Sequence, residues 1–155
     1  MTANSRLLVL ALALAGCSSS SDSDTVSGAA DTPLSGKVGS QSWTFQIGAT
    51  DPFLSQGDGD FVAALYATSY TPCSGSEPTG PHLFVAVPKQ PGTYPLSPMR
   101  NVTFVTADDD NLISLDGEVE VHEVTATTVT GGLRTRRDDG NDVNGQFQLT
   151  VCPEQ

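Results

Sequence analysis

Positive charge is scarce in this chain. Seven Lys and Arg face eighteen Asp and Glu, for a net charge of −11 over 155 residues. Nucleic-acid phosphates are held by basic surfaces, so this balance argues against a nucleic-acid partner. The one short basic cluster, Arg134, Arg136 and Arg137, reads as a solvated strand end paired with nearby aspartates. Histidine is as rare, with only His82 and His122, and no Gly-x-Ser-x-Gly elbow occurs, which leaves a serine hydrolase without its parts. The three cysteines show neither a Cys-x-x-Cys pair nor a Cys/His spacing suited to zinc. Long apolar runs are missing too: the best, Leu7 to Ala15, falls well short of the ~20 residues that span a bilayer. Helix signals are almost absent.

What is present begins with that short run. "LVLALALAGCSSSSDSD" has the length of a signal-peptide core, with Arg6 as a sparse positive flank and the small residues Ala15 and Gly16 before Cys17. Leu14-Ala15-Gly16-Cys17 resembles the lipobox of bacterial lipoproteins. The resemblance implies that residues 1–16 are a removed leader and that Cys17 is acylated on sulfur and becomes the new N-terminus. Two or three acyl chains then hold the protein to a membrane, at roughly 0.8 kcal/mol per buried methylene. Ser18 and Ser19, rather than Asp, follow the cysteine; in that family this leans toward the outer membrane. Residues 17–32, "CSSSSDSDTVSGAADT", carry almost no large apolar side chain and read as a flexible tether. Residues 33–155 are long enough for one domain with its own core.

Within that domain, short Val, Thr, Phe and Tyr runs are punctuated by Gly, Pro, Asp and Ser clusters, the pattern of antiparallel β-structure. In "LSGKVGSQSWTFQIG", Gly39-Ser40 fits a type II′ hairpin turn that sets Val38 opposite Gln41, Gly36 opposite Trp43 and Leu34 opposite Phe45. Gly36 would then leave room for the indole. "FVAALYATSY", residues 61–70, reads as a central strand covered on both faces, and "HLFVAV", 82–87, looks similar. "GTYPL", 92–96, suits an edge because of its proline. "NVTFVT", 101–106, is a further strand. "NLISL" and "GEVEVHEV" form one broken strand or two, with Val119 and Val121 inward and Glu118, Glu120 and His122 in water. "TVTGGLRT" returns antiparallel, "DDGND" is a loop, and "GQFQLTVC" closes the domain with Phe147, Leu149 and Val151 inward. The sum is an all-β, antiparallel β-sandwich of about eight strands, with a small β-barrel as the alternative.

Setting Cys17 aside for lipid leaves Cys73 and Cys152, an even pair that points to a disulfide in an exported chain, with two unrelated free thiols as the alternative. A hairpin with a Trp after its turn, then Gly92-Thr93-Tyr94-Pro95-Leu96, then a Gly145-Gln146-Phe147 strand ending at Cys152, together resemble small bacterial lipoproteins, a group that brings no established activity with it.

Among metals, calcium is the better candidate. Acidic loops lie at Asp58-Gly59-Asp60, at Asp108, Asp109 and Asp110, and at Asp138, Asp139 and Asp142. Loop carboxylates and carbonyls can supply the six to eight oxygens calcium takes, although no EF-hand spacing occurs and Asp is an ordinary turn residue. Glu120 and His122 share a strand face but lack a third ligand. Glycan binding would want exposed rings: the alternation puts Trp43 in the core, leaving Tyr66, Tyr70 and Tyr94. The expectation is a non-enzymatic structural or binding module without cofactor, anchored in the bacterial envelope through acylated Cys17, with an unknown protein or glycan partner. A calcium- or glycan-binding module is the alternative, and an envelope hydrolase the least supported.

Overall fold

The computed structural model describes residues 28–57 and 59–153; Cys17 and Asp58 lie outside them. Eleven strands occur there: β1 (Ser35–Val38), β2 (Gln41–Thr44), β3 (Ile47–Thr50), β4 (Phe61–Tyr66), β5 (His82–Val87), β6 (Gly92–Pro95), β7 (Val102–Val105), β8 (Asn111–Ser114), β9 (Gly117–Val124), β10 (Thr128–Asp138) and β11 (Asn141–Thr150). They form one sheet, ordered β6-β9-β10-β11-β3-β4-β5-β7-β8, with the β1–β2 hairpin joined to β11 through β1. The protein is all-β, but the sheet is a strongly curled half-barrel rather than two antiparallel layers. It is also mixed, because the end of β11 pairs in parallel with β3 at Thr150 and Ala49. Curling a single sheet lets its concave face enclose a core that a flat sheet would need a second layer to cover.

The β1–β2 hairpin has the register its sequence dictates, Gly36 opposite Trp43 and Val38 opposite Gln41. Its turn is type I′ rather than II′, since Gly39 (φ 59°) and Ser40 (φ 64°) are both left-handed. Gly36 does not make room for the indole. A Cβ there would lie 2.0 Å from the Asp142 carbonyl oxygen, because β11 runs along the other side of β1. After Thr44 the chain leaves β1, and β3 takes up position between β4 and the far end of β11. Gly48 permits that crossing, where a Cβ would meet Leu149 Cδ2 at 2.6 Å and the Ala64 carbonyl oxygen at 2.9 Å.

Strand β4 is central, as its apolar run requires, but it ends at Tyr66 instead of Tyr70. In β5 burial alternates and Phe84 is 37% exposed, so only one face of that strand is covered, not both. The short β6 is an edge strand, consistent with Pro95. "NLISL" and "GEVEVHEV" are two strands with different partners, β8 on β7 and β9 on β10. "DDGND" contributes only a tight turn at Asp139-Gly140, with β10 running to Asp138 and β11 beginning at Asn141. Leu34, Val38, Trp43, Leu65, Leu83, Val85, Phe104, Val119, Leu133 and Leu149 fill the concave interior. Each fully buried leucine there contributes roughly 2 kcal/mol of transfer free energy.

The open side of the curl is drawn together between β8 and β10. Ser114 Oγ donates to the Arg136 carbonyl at 2.8 Å, and Thr135 Oγ1 lies 2.9 Å from both Ser114 Oγ and the Asp116 carbonyl. Both side chains are buried, and each hydroxyl is satisfied there.

Residues Gly28–Thr32 are part of the domain rather than of a tether. They cross the outer face of β9, β10 and β11. The Gly28 and Ala29 amides donate to Glu118 and Glu120 carboxylates at 2.8 and 2.9 Å. Ala30 donates to Asn144 Oδ1, and its carbonyl accepts from Gln146 Nε2 at 3.0 Å. Gly132 leaves the space that Ala29 occupies. A segment with no core-sized side chains is therefore ordered by backbone hydrogen bonds to polar groups on the sheet.

Candidate functional site

A concavity with polar groups lies where the β3–β4 loop, the β4–β5 loop and the C-terminal segment meet. It is a cleft of about 330 Å³ whose lining includes Asp51, Phe53, Tyr70, Glu77 and the Cys73–Cys152 bridge. The disulfide joins residues 79 apart in sequence, with Cα atoms 5.5 Å apart. The expected pairing is thus present. Cys152 is not an outward-facing strand residue, however: it lies just past β11, 6% exposed, and its amide donates to Thr50 Oγ1 at 2.9 Å. Cys73 sits in the left-handed region, φ 61°.

Asp51 follows β3 and caps the turn that comes next. Its Oδ1 accepts from the amides of Phe53 and Leu54, both at 2.8 Å, and its carbonyl accepts from the Ser55 amide. Ser55 is buried and exchanges hydrogen bonds with the Val62 backbone. From behind, Lys89 Nζ donates to the Ser55 and Gly57 carbonyls and lies 4.9 Å from the Phe61 ring. This bracing presents Phe53, 79% exposed, and Leu54, 59% exposed, on the outside of the turn.

Tyr70, which also lines the cleft, begins a row of four rings: it meets Tyr66 edge to face, Tyr66 stacks on His82, and His82 meets Phe84 edge to face. Tyr66 donates to Glu77 Oε2 at 3.0 Å. Burial, then that hydrogen bond and the Glu77 charge, push the Tyr66 phenol well above its ordinary value. Burial and the Glu77 charge raise Tyr70 as well. The Tyr70 hydroxyl is buried and has no hydrogen-bond partner among the described residues. Of these groups the sequence points to the cysteines, His82 and the tyrosines, but not to Asp51, Phe53 or Glu77. The signal that was there to read is "DPFLSQG", two large apolar residues between Asp-Pro and Ser-Gln-Gly, in a stretch whose other residues demand a loop.

The remaining candidates fall elsewhere. Asp60 is held by Arg100, with Nε to Oδ2 at 2.7 Å and Nη2 to Oδ1 at 3.2 Å. Asp108, Asp109 and Asp110 form the β7–β8 turn, closed on Thr106, and point outward. Asp138 caps the β10–β11 turn. Its hydrogen bonds from Asn141 and the Gly140 amide, helped by Arg137, hold its carboxyl below the usual range against some desolvation. Asp139 pairs with Arg136, and Asp142 stands opposite Lys37 and Arg136 in the strand register. The last two acidic turns flank the β1–β2 turn, through Thr106 against Gly39 and the Ser40 amide on the Gly140 carbonyl. Asp60 lies at the other end of β4. Among the described residues no three acidic, His or Cys side chains converge as a metal-ion group.

The basic cluster is paired with acids as its sequence suggests, Arg134 with Glu118, Arg136 with Asp139 and Arg137 with Asp138. His122 Nε2 is 3.4 Å from Glu120 Oε2, but Glu120 Oε1 already takes the Ala29 amide. His82 Nδ1 is 2.8 Å from the Gly80 carbonyl, which places its proton there. Trp43 is buried, with Nε1 donating to the Pro81 carbonyl at 3.1 Å. Among the described residues no helix is long and apolar enough to cross a membrane.

These features define an all-β half-barrel stapled by one disulfide, with an acidic cleft beside the staple. Comparison with known protein families, with curated proteins and with solved structures finds no match.

Proposed function

We propose that the protein is a lipid-anchored, non-enzymatic binding module of the bacterial envelope, held at the outer membrane through Cys17. The observation that carries the reading is the Cys73–Cys152 disulfide. Such bonds persist in oxidising compartments, which supports export. It also accounts for two of the three cysteines and leaves Cys17, at the end of the apolar run, for acylation. A binding role draws support from the braced Phe53–Leu54 turn. Exposed apolar side chains held on a rigid loop suit recognition better than stability. The two histidines support no hydrolytic role: one is stacked between aromatic rings and the other lies on an open strand face.

Expression in a bacterial host, followed by intact-mass analysis and separation of the two membranes, tests this. The mature chain should begin at Cys17 with a diacylglyceryl mass and sediment with the outer membrane. Cys17→Ala should remain unprocessed or become soluble. A mature wild-type protein with an unmodified Cys17 would overturn the anchored reading.

A further inference from the structure

We propose that the cleft beside the Cys73–Cys152 bridge binds a primary ammonium or guanidinium group on an aliphatic stem, as carried by a lysine or arginine side chain or by a free polyamine. This names the ligand of the binding-module reading and rests on it.

Three features of the cleft converge on that chemistry. First, its hydrogen-bonding groups are matched to a donor. Asp51 and Glu77 are acceptors, and among the described lining residues none is basic. Asp51 uses Oδ1 for the turn amides and Glu77 uses Oε2 for Tyr66, so each carboxylate has a second oxygen to offer. The Tyr70 hydroxyl also lacks a partner, but it is sealed from the cleft, and burial with the Glu77 charge keeps it a neutral phenol. An ammonium or guanidinium presents donors only, so it suits the two free carboxylate oxygens and offsets their charges. An anion would be repelled by both carboxylates.

Second, much of the remaining lining is apolar and suits a stem. Pro52, the Phe53 ring, the disulfide and Pro153 surround a volume of about 330 Å³, at the small end of the range for ligand sites. Phe53 leaves most of its ring in water, where it stabilises nothing within the chain. A cation drawn over that ring, with its methylenes against it, recovers both contacts.

Third, the acceptors are fixed in advance. Asp51 is locked by two amides, and the loop behind it is clamped by Lys89 and Ser55. Little ordering therefore remains to oppose binding.

The test is a titration of the full-length ¹⁵N-labelled chain, followed by amide shifts. The probes are cadaverine, a capped Gly-Arg-Gly peptide, and pentanol and pentanoate as neutral and anionic counterparts. A cationic probe should shift the amides of residues 50–54 and 70–77 saturably, and the counterparts should not. Asp51→Asn and Glu77→Gln keep the oxygens that hold the turn and Tyr66 but remove the charges. Combined, they should weaken cationic binding about tenfold, the loss of charge-assisted hydrogen bonds. Phe53→Ala, at an exposed position, should weaken it severalfold without touching either carboxylate. Binding of cadaverine alone identifies a free amine as the source, and binding of the peptide alone a protein side chain. Flat titrations with both cations would overturn the proposal, as would affinity unchanged in both variants or equal binding of pentanoate. Such a result leaves the Cys17 mass measurement to judge the anchored reading separately.

Discussion

Gly36 shows how one missing side chain places a strand. Its neighbour across the hairpin is Trp43, but the atom that forbids a Cβ is the Asp142 carbonyl oxygen, on the strand at the other side. Gly36→Ala must therefore push β1 off β11, and it should cost about 3 kcal/mol, the upper part of the range for overpacked sites. Urea unfolding followed by Trp43 fluorescence measures this; a loss within about 0.5 kcal/mol, the usual surface effect, would mean that β11 yields freely. Tyr66 carries a second consequence. Its phenol is raised in the fold and ordinary, near 10, when unfolded. The folded state then keeps a proton that the unfolded state releases. The stabilisation is complete below about pH 10 and is lost as pH rises toward the folded value. Stability should decline above about pH 10, and less steeply in Tyr66→Phe. Phenolate absorbance from Tyr66 should develop with unfolding rather than before it; ordinary titration in the folded chain would contradict its burial.

At the scale of the element, the most informative piece is the segment Gly28–Thr32. It has no apolar side chain large enough to dock, and its order comes from Glu118 and Glu120 accepting its amides. Replacing both with Ala should release the Gly28 and Ala29 amides to exchange and cost roughly 2 kcal/mol in charge-assisted hydrogen bonds. The Val119 and Val121 amides, held in the β9 ladder, should keep their protection. If Gly28 and Ala29 remain protected in that variant, the carboxylates do not hold the segment. The same segment marks what could be read from sequence and what could not. Alternation and turn chemistry were enough to place the β1–β2 register, the central β4, the edge position of β6, and the inward Val119, Val121, Phe147 and Leu149, because those depend on near neighbours. The docked segment, the break between β8 and β9, and the move of β3 from β2 to β11 depend on contacts distant in sequence. No local pattern encodes those. The cleft was hidden for the same reason. Asp51, Phe53, Tyr70 and Glu77 come together only once β3, β4 and the C-terminal segment are in place, so no spacing in the chain announces it.

For the whole molecule, the arrangement of partners says where it opens first. Strands β9, β10 and β11 hold one another through long antiparallel ladders, and β3, β4, β5 and β7 form a second such group. On the path between the groups stands the parallel contact of β11 with β3, registered at Thr150 and Ala49 alone. Just beyond it, Cys152 donates to Thr50 and is bonded to Cys73 in the loop after β4. The disulfide thus reinforces the thinnest junction in the sheet. With the cysteines 79 apart in sequence, chain entropy sets its contribution at roughly 4–5 kcal/mol. The left-handed Cys73 offsets about 1 kcal/mol of that. The Cys73→Ala/Cys152→Ala protein should be less stable by ~3–4 kcal/mol on this reasoning. The loss should also be uneven. Exchange should quicken most at the Thr50 and Cys152-position amides, then along β3, while β9 and β10 change only with global stability. Non-reduced wild-type protein should offer neither Cys73 nor Cys152 to an alkylating reagent under denaturing conditions. A uniform rise in exchange across both groups of strands would show that the bond acts on the unfolded chain alone and does not close this junction.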